Sequence, residues 1–244
     1  AAEATGRTVQ KGVADTFSWT VENPILWSAE DPQLYDLIME VFDENGILQE
    51  VIPQKVGFRR FEMKDGIMTL NGKRIVFKGV NRHESNPAVG HAITRDMMEK
   101  EVMLMKRANI NHVRNSHYPD DPYWYFLCNK YGLYLEDEAN IESHEYYYGA
   151  ASLSHPVEWK KAHVARVMEM VHANINNPSI VIWSLGNEAG NGINFERTYD
   201  WMKSVETTRP IQYERAEQNY NTDIYCRMYR SVEELLVYAR QTEP

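Results

Sequence analysis

Short apolar segments alternate with helical patterns along most of this chain, and that alternation constrains the fold more than any other feature. Six predicted strands occupy residues 75–80, 112–114, 133–135, 180–183, 211–213 and 224–226. Repeating βα units of about 30 residues predict a parallel sheet with helices outside it, either a (β/α)8 barrel or a doubly wound sheet. No Gly-rich phosphate loop follows the first strand, which counts against a dinucleotide-binding sheet.

The helical patterns carry their own boundary signals. The clearest one has apolar residues at i, i+3, i+4, i+7 and i+11, namely Val164, Val167, Met168, Val171 and Ile175. Thr94 is a predicted N-cap for the first helix of the alternating region, and Ser231 with Glu234 predicts a capping box for the last.

The first 61 residues show only strand patterns. "TFSWTV", "LYDLIMEVF" and "ILQEVIPQKVGFRRF" read as strands, and Asn45-Gly46 between the last two suits a tight hairpin turn. An immunoglobulin-like sandwich has about 7 strands, more than this stretch supplies. We therefore expect residues 1–61 to be a partial β-sandwich and residues 62–244 to be the N-terminal part of a TIM barrel, reached through a second hairpin at Asn71-Gly72.

Composition excludes several classes of partner. The chain has 26 basic and 35 acidic residues, net −9, without a basic cluster, so we expect no nucleic-acid partner. No apolar run approaches the roughly 20 residues of a membrane-spanning helix, and the N-terminus lacks a signal pattern. Cys128 and Cys226 are too few for a disulfide framework, which favours reduced thiols. We expect a cytoplasmic location, with the periplasm as the alternative.

Polar segments follow all six predicted strands, and several are rich in histidine or carboxylate: "NRHES", "RNSHYP", "EDEANIESH", "LGNEAGNG", "ERAEQN" and "RMY". In a parallel barrel these strand ends converge on one mouth, where such enzymes place their active sites. Any one of these segments reads equally well as an ordinary loop start, but six in register favour a site. In "IVIWSLGNEAGNG" a buried strand would deliver Glu188 to that rim.

Several of these segments resemble a known family. "GVNRHE", "VRNSHYPDDPYWYFLCNKYGLYLEDEANIESH", "NPSIVIWSLGNEAGNG" and "RPIQYE" closely resemble the large β-galactosidases of glycoside hydrolase family 2. Upstream, "LWSAEDPQLYDL" and "VGFRRFEMKDGIMTLNGKRIVFKG" look like the end of that family's sandwich domain and the start of its barrel. The resemblance covers nearly the whole chain after about residue 20. It implies hydrolysis of terminal β-D-galactosides with retention of configuration.

The resemblance also implies a role for individual residues. Glu188 matches the general acid/base, a positioned carboxyl that typically contributes about 10²- to 10⁴-fold. Asn187 matches the residue that hydrogen-bonds the sugar 2-hydroxyl, although an Asn here also suits a turn cap. His83 and His117 match residues that contact the galactosyl ring, and Tyr229 matches a tyrosine beside the nucleophile.

A divalent cation is implied as well. Glu142, His144 and Glu188 match the family's magnesium ligands, and carboxylate oxygens with one imidazole suit Mg²⁺ or Mn²⁺. Taken alone, Glu-x-His usually marks an exposed loop. Arg114 is expected to be a buried partner of site carboxylates, because an isolated buried charge is costly. The candidate carboxylates are Glu138 and Asp137.

One departure from the family pattern matters. Retaining glycosidases need two carboxyls about 5 to 5.5 Å apart, and the attacking Glu of this family follows an apolar strand in a "Leu-Cys-Glu-Tyr"-like motif. This sequence has no such motif, and Glu214 in "QYE" is not its counterpart. We therefore expect a fragment with six barrel strands, inactive alone, from a complete protein that forms a homo-oligomer.

Other readings stay open. A β-glucuronidase- or β-mannosidase-like relative shares the same general pattern, and a non-catalytic carbohydrate-binding fragment would use the same sugar contacts. A metal-dependent amidohydrolase would carry His-x-His on the first strand, which "NRHE" lacks.

Overall fold

A computed structural model describes residues 18, 20–146 and 148–241. Two antiparallel strands, β1 (Tyr35–Phe42) and β2 (Leu48–Val56), form the first sheet. The turn between them has Gly46 at φ 77°, and the Asp43 side chain accepts the N–H groups of Asn45 and Ile47. The predicted hairpin is confirmed. The strand predicted in "TFSWTV" lies for the most part outside the described residues.

A second antiparallel sheet contains β3 (Phe61–Lys64), β4 (Ile67–Leu70) and β5 (Lys73–Arg74). The turn at Asn71-Gly72 joins β4 to β5, as predicted. The prediction of one continuous strand over residues 47–61 is wrong, because β2 ends at Val56 and β3 begins at Phe61.

Close contact with the following domain explains that break. Gly57 lies so near Pro178 that an added Cβ would stand 2.8 Å from the proline ring. Arg59 then donates hydrogen bonds to the backbone carbonyls of Pro178 (2.6 Å) and Ile180 (2.5 Å). The backbone between β2 and β3 therefore follows the barrel surface instead of continuing the strand.

The main sheet has five parallel strands in chain order, β6 (Gly79–Arg82), β7 (His112–Asn115), β8 (Tyr134–Glu138), β9 (Ile180–Ser184) and β10 (Ile211–Gln212). The helices of this region are α1 (Arg95–Arg107), α2 (Pro122–Tyr131), α3 (Lys160–Asn174), α4 (Ile193–Val205) and α5 (Val232–Gln241). Each of the first four helices lies between two of the strands along the chain. This is part of a TIM barrel, preceded by a partial sandwich, as predicted.

Two of the six predicted barrel strands need correction. The first, placed at residues 75–80, is Gly79–Arg82, because Lys73–Arg74 pairs back onto β4 and Ile75 donates to the Met68 carbonyl. The sixth, placed at residues 224–226, is reduced to a bridge between Ile224 and Gln212.

Beside that bridge, side-chain oxygens accept backbone N–H groups where a strand pair would have backbone hydrogen bonds. The Thr222 hydroxyl accepts the N–H groups of Tyr213 and Ile224, and the Asp223 carboxylate accepts that of Ile211. Cys226 consequently lies outside any strand, and both cysteines are free, as expected.

The helix boundary signals are confirmed at both ends of the barrel segment. The Thr94 hydroxyl accepts the Met97 N–H, and Ser231 and Glu234 exchange the two hydrogen bonds of a capping box. In α3 the predicted apolar face is only partly correct. Val167 and Val171 are buried as expected, whereas Ile175 is 39% exposed and lies beyond the helix end.

The N-terminal segment is anchored to the barrel by a buried tryptophan. Trp27 is fully buried, its Nε1 donates to the Asn129 carbonyl (2.8 Å), and its ring meets that of Tyr134 edge-on. Beside it, Gly132 lies directly against the Ala29 backbone. Among the described residues, no helix is long and apolar enough to cross a bilayer.

Candidate active site

Glu188 reaches the strand ends through a turn that constrains its backbone. After β9, Gly186 adopts φ 145° with its α-carbon against Ile141, where a Cβ would lie 2.6 Å from the carbonyl oxygen. Asn187 then donates its N–H to that same carbonyl (2.8 Å). Glu188 itself sits at φ 36°, a left-handed conformation that non-glycine residues rarely adopt without support.

A cleft of about 330 Å³ opens at this end of the sheet. Its lining includes every residue that the sequence assigned to the sugar or the proton transfer: His83, His117, Asn187, Glu188 and Tyr229. His83 directly follows β6 and His117 follows β7, with their ring centroids 5.1 Å apart. Tyr229 is 85% exposed at the rim. The structure thus brings together residues from four separate segments of the chain.

The floor of the cleft is a buried ion pair. The fully buried Glu138 carboxylate accepts hydrogen bonds from Arg114 Nε (2.8 Å) and Nη2 (2.9 Å) and from the Ser184 hydroxyl (2.6 Å). His117 Nδ1 lies 2.7 Å from the same carboxylate. Burial opposes the charge of Arg114, but Glu138 and Glu136 outweigh it and raise the pKa of the guanidinium.

Of the two candidate partners for Arg114, Glu138 is correct and Asp137 is not. Neighbouring side chains of a strand point to opposite faces, so Asp137 points into the helix layer. There it accepts hydrogen bonds from Tyr125 (2.7 Å), Asn115 (3.1 Å) and Asn174 (2.8 Å). Burial raises the pKa of Asp137 to about 6.

Asn187 connects the ion pair to the carboxylate of Glu142. Its Oδ1 accepts from Arg114 Nη2 (2.8 Å), and its Nδ2 donates to Glu142 Oε2. An amide nitrogen carries two hydrogens, so one donor of this buried side chain is left for a ligand in the cleft.

A group of possible cation ligands lies beside Glu188. One ligand atom from each of Glu142, His144 and Glu188 lies within 4.8 Å of the others. Glu142 and His144 are exposed, and His144 Nδ1 is 3.6 Å from Glu188 Oε2. Two carboxylates and one imidazole with solvent access fit a hard or borderline cation that keeps water in its shell.

Three neighbours of Glu188 were not predicted as functional. The Tyr148 hydroxyl donates to Glu188 Oε1 (2.9 Å), and Arg215 Nη2 lies 3.6 Å from the same oxygen. The Arg215 guanidinium lies 3.4 Å above the centre of the Tyr148 ring. Glu214 accepts the backbone N–H of Glu188 (3.2 Å), and burial raises the pKa of Glu214 to about 7. For Glu214 and Arg215, the sequence signal was the polar segment "ERA" directly after a predicted strand.

Comparison with known proteins agrees with this geometry. Residues 61–244 match the family profile described as "Glycosyl hydrolases family 2, TIM barrel domain", and residues 1–59 match "Glycosyl hydrolases family 2". The chain belongs to glycosyl hydrolase family 2. A curated β-galactosidase from Halalkalibacterium halodurans is 44% identical over 234 residues, which is 91% of this chain and 23% of the relative.

Two solved structures share the fold of this chain. A Parabacteroides merdae β-glucuronidase with glycerol in its active site superposes with a TM-score of 0.74 at 27% identity, covering 91% of this chain and 29% of that one. A Ruminococcus gnavus β-glucuronidase in complex with C6-substituted uronic isofagomine has a TM-score of 0.72 at 25% identity, covering 84% and 36%. The chain thus spans between 23% and 36% of the length of these relatives.

Proposed function

We propose that this chain carries the acid/base part of the active site of a retaining β-galactosidase that acts on terminal β-D-galactosides. One observation carries the proposal: the Glu188 carboxylate is at once a wall of the cleft and a member of the possible cation group. The 44% identity to a β-galactosidase supports the substrate class.

In the proposed reaction, the Glu188 carboxyl gives its proton to the glycosidic oxygen while the bond from that oxygen to the anomeric carbon breaks. An attacking carboxylate, for which the sequence shows no matching motif, forms a covalent bond to the anomeric carbon as the glycosidic bond breaks. Glu188, now a carboxylate, then removes a proton from the water that hydrolyses the glycosyl intermediate.

The sugar would be held by the remaining cleft residues. The free amide hydrogen of Asn187 suits a sugar hydroxyl, and Arg114 and Glu142 fix the plane of that amide. His83 and His117 supply ring nitrogens to the lining of the same cleft. Tyr229, which the family resemblance places beside the nucleophile, is exposed at the rim of the cleft.

Mg²⁺ or Mn²⁺ is proposed as the cofactor, held by Glu142, His144 and Glu188. The donor set fits such an ion, and the ion would supply positive charge beside the acid/base carboxylate. Homo-oligomerisation, a cytoplasmic location and the lack of a nucleic-acid partner stay predictions from the sequence.

A second candidate is a β-glucuronidase-like activity, because the two solved structures named above are β-glucuronidases. The two proposed activities are separated by measuring hydrolysis of 4-nitrophenyl β-D-galactoside and 4-nitrophenyl β-D-glucuronide. The assay uses the intact protein, meaning the complete protein from which we expect this chain to come. Preference for the glucuronide would replace the galactoside proposal. Binding of galactose without turnover of either substrate would leave only a carbohydrate-binding role.

The role of Glu188 is tested with Glu188→Gln in the intact protein. An aryl galactoside with a good leaving group needs no proton, so the variant should accumulate a glycosyl intermediate, and added azide should restore turnover with β-galactosyl azide as product. Glu169→Gln, at an exposed position on α3, serves as the matched control. An α-azide product would exclude retention, and full activity of Glu188→Gln would exclude its role.

A further inference from the structure

Two adjacent residues, Glu214 and Arg215, contact the backbone and the side chain of Glu188. Glu214 accepts the Glu188 backbone N–H (3.2 Å), and the Glu214 carboxylate also pairs with Arg215 Nε (3.0 Å). Arg215 Nη2 faces Glu188 Oε1 (3.6 Å). Backbone and side chain of Glu188 are thereby tied to the same short turn, Glu214–Ala216, which follows β10.

Tyr148 completes this arrangement from another part of the chain. Its hydroxyl donates to Glu188 Oε1 (2.9 Å), and its ring lies under the Arg215 guanidinium. A guanidinium over an aromatic ring is attracted by the ring quadrupole, so the two groups keep each other in place. The side chain of Arg215 is only 24% exposed, which limits the competition from water for its contacts.

The two oxygens of Glu188 consequently have different surroundings. Oε1 faces Tyr148 and Arg215, whereas Oε2 faces His144 at 3.6 Å on the side of the possible cation group. If one carboxylate both binds a cation and transfers a proton, each task needs its own oxygen. Free rotation of the carboxylate group would exchange the two oxygens, so neighbouring groups must hold its orientation.

We propose that Arg215 and Tyr148 are positioning residues that keep Oε1 of Glu188 as the oxygen that transfers the proton and leave Oε2 to the cation. The inference rests on the proposed acid/base role of Glu188. When the proton passes from Oε1 to the glycosidic oxygen, Glu188 becomes a carboxylate. The Arg215 charge and the Tyr148 hydrogen bond act more strongly on that carboxylate than on the neutral acid.

This role predicts a loss that depends on the leaving group. Arg215→Ala in the intact protein should lower kcat/KM by about 10-fold or more for phenyl β-D-galactoside, whose leaving group needs a proton. For 2,4-dinitrophenyl β-D-galactoside, whose leaving group departs without one, the loss should stay below about 3-fold. Arg215→Lys should recover part of the loss, and Tyr148→Phe, which keeps the ring, should show a smaller loss of the same kind.

Matched controls come from exposed residues outside the cleft. Arg197→Ala removes a guanidinium whose partner is Asp200 on the same helix, and Tyr220→Phe removes a phenol that is 58% exposed. Both should leave the ratio of the two kcat/KM values unchanged. Titration with Mn²⁺, followed by isothermal calorimetry, gives a readout that does not depend on turnover, and Arg215→Ala should bind Mn²⁺ at least as tightly as the wild type.

Several outcomes would overturn the inference. Equal losses on both substrates would indicate a general structural role, and a change confined to KM would indicate a substrate contact. Weaker Mn²⁺ binding by about 10-fold would assign Arg215 to the cation site instead. Absence of wild-type hydrolysis of either galactoside is a different result, because it contradicts the proposed function itself and not the arrangement around Glu188.

Discussion

Replacing Arg114 with methionine should destabilise the protein strongly. The guanidinium donates two hydrogen bonds to the fully buried Glu138 and one to Asn187, at 2.8 to 2.9 Å. Methionine fills similar volume but leaves the Glu138 carboxylate with only the Ser184 hydroxyl and the His117 ring. Removal of one partner from a buried ion pair costs about 3–5 kcal/mol, a large fraction of an ordinary folding free energy.

Urea unfolding followed by tryptophan fluorescence measures that loss. Arg114→Met combined with Glu138→Gln should recover at least about half of it, because Glu138 then carries no charge. The remaining loss would reflect the buried carboxylate of Glu136, whose Oε1 lies 3.9 Å from Arg114 Nε. Arg197→Met, which breaks an exposed pair with Asp200, is the control and should cost less than about 1 kcal/mol. The reasoning fails if the single Arg114 variant loses no more than this control, or if the double variant is no more stable than the single one.

Three further predictions concern the cation, the pH dependence and one close contact. Glu142→Gln should weaken Mn²⁺ binding at least about 10-fold by calorimetry, and unchanged affinity would exclude the proposed site. Burial raises the pKa of Asp137 from 3.8 to about 6, so its stabilising contribution is present below about pH 4 and is lost as the pH rises to about 6. That loss amounts to roughly 3 kcal/mol of unfolding free energy in total. Urea unfolding measured across this pH range should show the loss in the wild type and not in Asp137→Asn. Gly132→Ala should lower stability by more than Gly46→Ala, because the Cβ at residue 132 would lie 2.3 Å from the Ala29 carbonyl oxygen. Gly46 has a similar φ but open space around it, so Gly46→Ala measures the cost of the left-handed backbone alone, about 1–2 kcal/mol. Equal losses in the two variants would contradict a role for the contact with Ala29.

Much of the candidate site followed from the sequence, because strand ends are encoded locally. The polar segments that follow the predicted strands place Glu188, His83 and His117 at one edge of the sheet with no knowledge of tertiary contacts. Their neighbours were less accessible. Tyr148 lies in an irregular segment without periodicity, and only the folded chain shows that it meets Arg215 above Glu188.

The fold was predictable where pattern and packing agree. Strand β9, with the sequence IVIWS, is a buried apolar run that the sequence pattern identifies directly. Strands β7 and β8 are fully buried although they contain several polar or charged residues. The bounds of the two corrected strands depend on which hydrogen-bond partner each backbone segment pairs with. Lys73–Arg74 has an adjacent hairpin strand available, and residues near Ile224 find side-chain acceptors in place of a ladder. Sequence patterns alone do not determine which of two partners a backbone segment will choose.

Trp27 has a consequence for anyone who wishes to divide this protein. The predicted sequence boundary falls near residue 61, yet the indole of residue 27 fills a hole beneath Tyr134 and satisfies the carbonyl of Asn129. A chain shortened to start at that boundary would lose this indole, expose the Tyr134 ring that it covers and leave the Asn129 carbonyl without that donor. The TIM-barrel segment and the residues before it therefore share buried contacts across the boundary near residue 61.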